Sequence, residues 1–204
     1  MSQGLLIVVS GPSGAGKGTV CKAYREKHPD THLSISATTR APRKGEIEGV
    51  NYFFKTVEDF QTMIENGDFL EYAEVYGNYY GTPKKYVRDN LMKGHDIILE
   101  IDIQGALAVK DKFEEGVFIF IVPPSMEELK RRIVTRGTET KEEVLKRFQK
   151  SYEELNFIKR YNYVIINDRV ERAVDKMESI VTAEKCRVSR FADWTIPEII
   201  TENE

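Results

Sequence analysis

The chain has 204 residues, a formal net charge of −3, 41% hydrophobic and 31% charged residues, and two cysteines. That length suits one domain with small inserted lobes and a sizeable core. The slightly acidic balance argues against nucleic acid as a partner, and Cys21 and Cys186, far apart and outside any C-x-x-C, argue against a disulfide framework or a zinc site.

The first element is "LLIVVS", a continuous apolar run of the kind buried on both faces of a parallel sheet. It is too short for a membrane span and has no cationic leader, so the expected setting is the cytoplasm, with no membrane partner. "SGPSGAGKGT" follows, from Ser10 to Thr19. It fits the phosphate-loop pattern G-x-x-x-x-G-K-[ST] at Gly11, Gly16 and Lys17, but Gly18 stands where the hydroxyl belongs and Thr19 comes one place late. The loop Gly11, Pro12, Ser13, Gly14, Ala15, Gly16, Lys17, Gly18 and Thr19 is expected to turn its backbone N–H groups onto a phosphate. The start of the next helix, "TVCKAYREKH", adds partial positive charge, and Lys17 adds a mobile one. Mg²⁺ keeps much of its water and can be held mainly by nucleotide phosphates, so a missing hydroxyl does not disable such a loop, and Thr19 is the nearest substitute.

Four more buried strands are expected: "LSISA" (Leu33–Ala37), "DIILEI" (Asp96–Ile101), "VFIFIV" (Val117–Val122) and "YVIIN" (Tyr163–Asn167). Helical patterns separate the last three, Gln104–Phe113 and then two between Ser125 and Tyr161, and a final helix spans Val170 to Arg190. Strands alternating with helices predict an α/β fold with an open parallel sheet flanked by helices. Between Thr38 and Pro83 short aromatic strands surround a helix capped near Thr56, a small mixed α/β lobe inserted into the main sheet. Ser125–Phe148 reads as two charged helices with too little apolar surface for core, hence a mobile flap, its start marked by a Ser125/Glu128 capping box. Ala192–Glu204 reads as a frayed acidic tail.

Within the inserted lobe, Arg40 and Arg43 lie three apart in a loop near Tyr52 and Tyr80. Guanidinium forks donate paired hydrogen bonds to a phosphate dianion, and with the tyrosine hydroxyls they suggest a phosphomonoester site. "DIILEID" has the layout of a strand ending in acids; Asp102 either orients Mg²⁺ through water or caps the helix that begins near Gln104.

"SGPSGAGKGT", "SATTRAPRKGE", "FLEYAEVYGNYYGT", "ILEIDIQGA" and "RGTET", in that order over roughly residues 5 to 188, closely resemble the guanylate kinase family. The resemblance implies a single domain over 1–188. Its P-loop core would be about 1–33, 84–124 and 159–190, its GMP-binding lobe about 34–83, its helical lid about 125–158, and 191–204 the tail. It implies transfer of the γ-phosphate of MgATP to GMP, and by extension dGMP, giving ADP and GDP. In the family two arginines and two tyrosines hold the GMP phosphate, matching Arg40, Arg43, Tyr52 and Tyr80. Guanine is read at positions matching Ser36, Glu71, Thr82 and Glu100, the last a longer acid than the aspartate of some relatives. Arg136 and Arg147 match lid arginines brought onto the phosphates, and Arg132, Asn167 and Asp168 fall near the adenine. Lys17, Arg40, Arg43, Arg136 and Arg147 are the expected catalytic set. Glu71 would accept from the adjacent ring N–H and amino group of guanine, a donor pair that adenine lacks.

Two other readings stay open. A guanylate-kinase-like interaction module would have lost the phosphate apparatus, whereas Gly11–Thr19 is whole; a kinase for another monophosphate, such as AMP, conflicts with Glu71 and Thr82. Nothing in the sequence separates a monomer from a homo-oligomer.

Overall fold

The computed structural model describes residues 4–75, 77–134 and 141–191, without the side chains of 141–147 and 191. Two sheets organise it. The larger has five parallel strands in the order β2 (His32–Leu33), β7 (Ile97–Glu100), β1 (Leu6–Ser10), β8 (Val117–Val122) and β9 (Tyr163–Ile166). β1 lies at the centre, paired from Leu6 with Ile97 on one side and from Ile7 with Val117 on the other. Its apolar run is continuous because both faces are covered. Ile7 and Val9 pack with α1 (Lys17–Lys27) and α7 (Val170–Lys185), while Leu6 and Val8 pack with α3 (Lys84–Met92) and α4 (Ile103–Lys110).

The second sheet is mixed, in the order β4 (Phe53–Phe54), β3 (Ala37–Thr38), β6 (Asn78–Pro83) and β5 (Phe69–Val75). α2 (Val57–Glu65) covers it, and among the described residues Ala37, Phe60 and Phe69 form their shared buried cluster, with Phe60 stacked on Phe69 and on Tyr79. Thr56 caps α2 as the sequence suggested, its Oγ1 accepting from the N–H of Asp59 at 3.0 Å.

Four local expectations need correction. "LSISA" is not one strand: the chain leaves the large sheet after Leu33 and enters the second at Ala37, so this segment is the crossing between sheets. α3 was not foreseen, because "KKYVRDNLM" carries only Val87 and Leu91 as buried apolar residues. The last α-helix ends at Lys185, and a separate 3₁₀ turn spans Val188–Phe191. The fourth concerns α5 (Met126–Val134), first of the two flap helices; α6 (Lys141–Glu154) is the second. α5 is anchored: Leu129 and Ile133 are 0% and 1% exposed, and a Cβ on Gly14 would meet both. Two apolar residues at i and i+4 suffice to dock an otherwise charged helix. Its capping box is half made. Ser125 accepts from the N–H of Glu128 at 3.1 Å, but the Glu128 carboxylate turns to Arg131 and Arg132, both at 2.7 Å. The "RGTET" segment and the tail from Ala192 lie outside the described residues.

Among the described residues no helix is long and apolar enough to cross a membrane.

Candidate nucleotide site

The phosphate loop connects the end of β1 to α1. Gly11 adopts φ +141°, and a Cβ there would lie 2.1 Å from the carbonyl oxygen of Ile121 in β8. Gly16 is left-handed at φ +90°, and a Cβ there would lie 2.4 Å from Nδ2 of Asn167. Both positions therefore require glycine, for conformation and for space. α1 has no side-chain cap and no acid in its first turn, so its leading N–H groups remain for an anion, and Ala15 is completely buried behind them.

Lys17 folds back along the loop, its Nζ donating to the carbonyls of Gly11 at 2.6 Å and Pro12 at 3.2 Å. Desolvation lowers its pKa, opposed by the carboxylates of Glu100, Glu154 and Asp102. One face of the loop is braced by Asn167, 3% exposed, which donates to the Ala15 carbonyl at 2.8 Å. Arg132 braces it too, donating to the Asn167 carbonyl at 3.0 Å and held by Glu128. Arg132, Asn167, Asp168 and Thr19 line one cavity of about 360 Å³ with Gly14 and Gly16. Thr19 thus borders the same cavity as Arg132 and Asn167. The other face of the loop meets the end of α6. Ser13 donates its N–H to the Glu154 carboxylate, and Ser151, fully buried, donates to the Ser13 carbonyl at 3.4 Å. Sequence reasoning missed Glu154, whose charged surroundings in α6 gave no sign of it.

The strand-end acids part company. β7 ends at Glu100, and Gly18, which has no side chain, faces it: a Cβ on Gly18 would lie 3.2 Å from Oε1 and 3.4 Å from Oε2. The Glu100 carboxyl is raised by desolvation and lowered by Lys17. Asp102, two residues on, caps α4 by accepting from the N–H of Gly105 at 2.8 Å. It also stands beside Glu71: a Cβ on Gly105 would meet Glu71 Oε2 at 3.1 Å and Asp102 Oδ1 at 3.4 Å.

Glu71 lies where the β5–β6 register slips between Phe69 and Tyr72, an irregularity that re-aims a side chain. The hydroxyl of Thr82, a fully buried residue, donates to Glu71 Oε1 at 2.5 Å. Desolvation raises the Glu71 pKa; the Thr82 hydroxyl and N–H pull it down, and Asp102 pushes it up. Ser36 is half-buried at the sheet crossing, where its carbonyl accepts from Phe53 N at 2.9 Å.

The expected phosphomonoester group also comes together. The Arg40 guanidinium lies 5.4 Å from the Tyr52 ring centre, the Tyr52 and Tyr80 rings are 6.1 Å apart, and the Tyr80 hydroxyl interacts with Arg40. Glu46 grips Arg40 with both oxygens, at 2.8 and 3.0 Å, and accepts from the Arg43 N–H at 2.7 Å. The Arg43 side chain is exposed. Glu46 was missed as a member of this group, although an acid a few residues after two arginines in a Gly/Pro loop was its signal. Arg136 lies outside the described residues, and so does the side chain of Arg147 in α6.

A model of the family described as guanylate kinase matches residues 3–184. A guanylate kinase of Caldanaerobacter subterraneus subsp. tengcongensis is 66% identical over 94% of this chain and 93% of its own length. One from Clostridium perfringens is 62% identical over 94% and 89%. Among solved structures, that of guanylate kinase from Anaplasma phagocytophilum superposes with a TM-score of 0.73 at 38% identity, covering 93% of this chain and 90% of the other.

Proposed function

The chain belongs to the guanylate kinase family, and from that premise we propose that it transfers the γ-phosphate of ATP to GMP, and to dGMP, giving ADP and the diphosphate. The observation that carries the reading is that the bare helix start and Lys17 on one side, and the Arg40–Tyr52–Tyr80 group on the other, each offer a separate phosphate seat. We assign the core to about 1–33, 84–124 and 159–190, the acceptor lobe to about 34–83 and the lid to about 125–158.

In this reading the phosphate chain of ATP lies on Gly11–Thr19, and its adenine enters the cavity between Arg132 and Asn167. The GMP phosphate is held by Arg40, Arg43, Tyr52 and Tyr80. Guanine meets Ser36, Glu71 and Thr82. Geometry favours exchanging two roles expected from the sequence. Asp102, beside Glu71, belongs with the base-reading carboxylate, whereas Glu100, beside Lys17 and Gly18, belongs with the phosphates.

An oxygen of the GMP phosphate attacks the γ-phosphorus in line, forming one O–P bond as the bond to the ADP oxygen breaks. No protein nucleophile is needed, because positioning and charge neutralisation do most of the work. Lys17 leaves the Gly11 and Pro12 carbonyls to follow the phosphates, and Arg136 and Arg147 arrive with the lid. Mg²⁺ would supply further neutralisation across the phosphate oxygens. The all-oxygen donors on this side, Glu100 foremost, suit a hard cation that keeps much of its water.

ADP release measured with MgATP and GMP, AMP, UMP or CMP in turn tests the proposal. Fast turnover confined to GMP is expected. Binding of GMP without turnover would instead favour an interaction module.

A further inference from the structure

The loop breaks its own pattern at one place, and the structure gives that break a neighbour. In the common form of the loop, position 18 carries a hydroxyl. Here it is glycine, on helical backbone that any residue adopts, so conformation does not call for it. Space does. The direction in which a side chain would leave Gly18 runs to both carboxylate oxygens of Glu100, 3.2 and 3.4 Å from a Cβ that is not there. Contact at 3.2 Å is already tight, and a hydroxyl beyond that Cβ would enter the volume of the carboxylate. Thr19, the next hydroxyl along the chain, borders the cavity of Arg132 and Asn167.

We propose that Gly18 and Glu100 form a compensating pair: the glycine clears the place of the loop hydroxyl, and the long strand-end carboxylate enters it to supply the metal-facing oxygen. Length is the point. Aspartate, one methylene shorter, would stop short of the vacated place, whereas glutamate from the last residue of β7 reaches it. This inference rests on the kinase reading, since it concerns how MgATP is held.

A double-mutant cycle tests it. Four proteins are compared: wild type, Gly18→Ser, Glu100→Asp, and Gly18→Ser with Glu100→Asp. The readout is the ratio of ATP affinity with Mn²⁺ to ATP affinity in EDTA, measured by titration calorimetry, with thermal melts confirming that each protein is folded. Each single change should lower that ratio by about 10-fold, in the range seen when groups around a metal are altered. The double variant should return to within about 3-fold of wild type, because a serine hydroxyl and a short acid restore the common arrangement. A further pair, Gly18→Ala with Glu100→Asp, should stay low, since it relieves crowding without adding an oxygen. Additive losses, or a silent Gly18→Ser, would overturn the pairing. GMP-dependent ADP release by the wild type separates the two levels: if it is absent, the kinase reading fails; if it is present and the cycle is additive, only the pairing fails.

Discussion

In the proposed reading the two sheets hold the two phosphate seats by different means. The centre of the parallel sheet is buried on both faces, with Ile7, Val8 and Val9 all 0% exposed, although edge strand β9 leaves Val164 and Ile166 about half exposed; the sheet presents a loop whose donors are mostly backbone N–H groups. The inserted sheet packs its own apolar core on Ala37, Phe60 and Phe69 and leaves Tyr72 and Val75 50% and 40% exposed; its polar groups are side chains from the segment 40–52 and from β5 and β6. Backbone donors are fixed once the fold is fixed. Polar side chains must be held one at a time, as Glu46 holds Arg40 and Thr82 holds Glu71. A thick core therefore serves the seat shared by many nucleotides, and a thin, adjustable lobe serves the seat that selects one.

Substitutions on the two sides should fail differently. Lys17→Ala should have the largest effect, a loss of about 10³-fold or more in turnover, because it removes the mobile charge from the transferring group. Circular dichroism and the melting temperature should stay near wild type, as the Lys17 ammonium contacts only loop carbonyls. Near-normal ADP release from this variant would break the contrast outright.

Glu71→Gln should come next. One acceptor for the paired donors of guanine becomes a donor, a mismatch of about 1–3 kcal/mol, which corresponds to a rise of roughly 5- to 150-fold in the KM for GMP. The KM for ATP should not move; equal change in both would show that Glu71 does not touch the base. The same variant sharpens the comparison through pH. The raised pKa of Glu71 means that the folded chain binds this proton more tightly than the unfolded one. Its favourable contribution is complete below the ordinary 4.5 and is lost as pH rises through the raised value, so at neutral pH the ionised, desolvated carboxylate is a burden. Unliganded Glu71→Gln should therefore melt higher than wild type at pH 7, with the gap closing toward pH 4.5. Glu128 runs the other way. Its pKa, lowered to about 2 by Arg131 and Arg132, gives a contribution that is present above 4.5 and lost as pH falls through about 2.

The smallest effect should come from Glu46→Gln, a half-buried partner whose loss frees Arg40 without removing it. A rise of about 2- to 5-fold in the KM for GMP is expected, with kcat unchanged. A fall in kcat instead would mean that Arg40 acts on the transferring phosphoryl group and not only on the acceptor.

What was legible in the sequence follows the same division. The phosphate loop could be read because its geometry depends on residue identity at Gly11 and Gly16, where no other residue fits. The strands of the large sheet could be read because burial on both faces leaves an apolar run. Glu71 and Thr82 were recognisable only through family resemblance, since a register slip decides where Glu71 points and no local pattern announces one. In the proposed site Glu100 and Asp102 take each other's expected roles for a similar reason. Side chains two apart share a face only while a strand continues, and β7 stops at Glu100 before the chain turns into the Asp102 cap. The docking of α5 was hidden because its composition is dominated by charge while its attachment rests on Leu129 and Ile133.

The central place of β1 has a consequence for how the molecule comes into being. Its two partners are β7 and β8, so Leu6 pairs with a residue made roughly ninety positions later, and Gly11 packs against Ile121, later still. At about 5–20 residues per second, a ribosome needs several seconds to deliver them. Through that interval the most apolar segment of the chain has no sheet to join, and the anion seat that follows it has no backing. The inserted lobe is made within this wait and draws its strands from one another, so it can close first. Nucleotide cannot find its loop until the strands on both sides of β1 have been made, which ties the arrival of ligand affinity to the synthesis of β8 and makes folding of the large sheet slow by contact order.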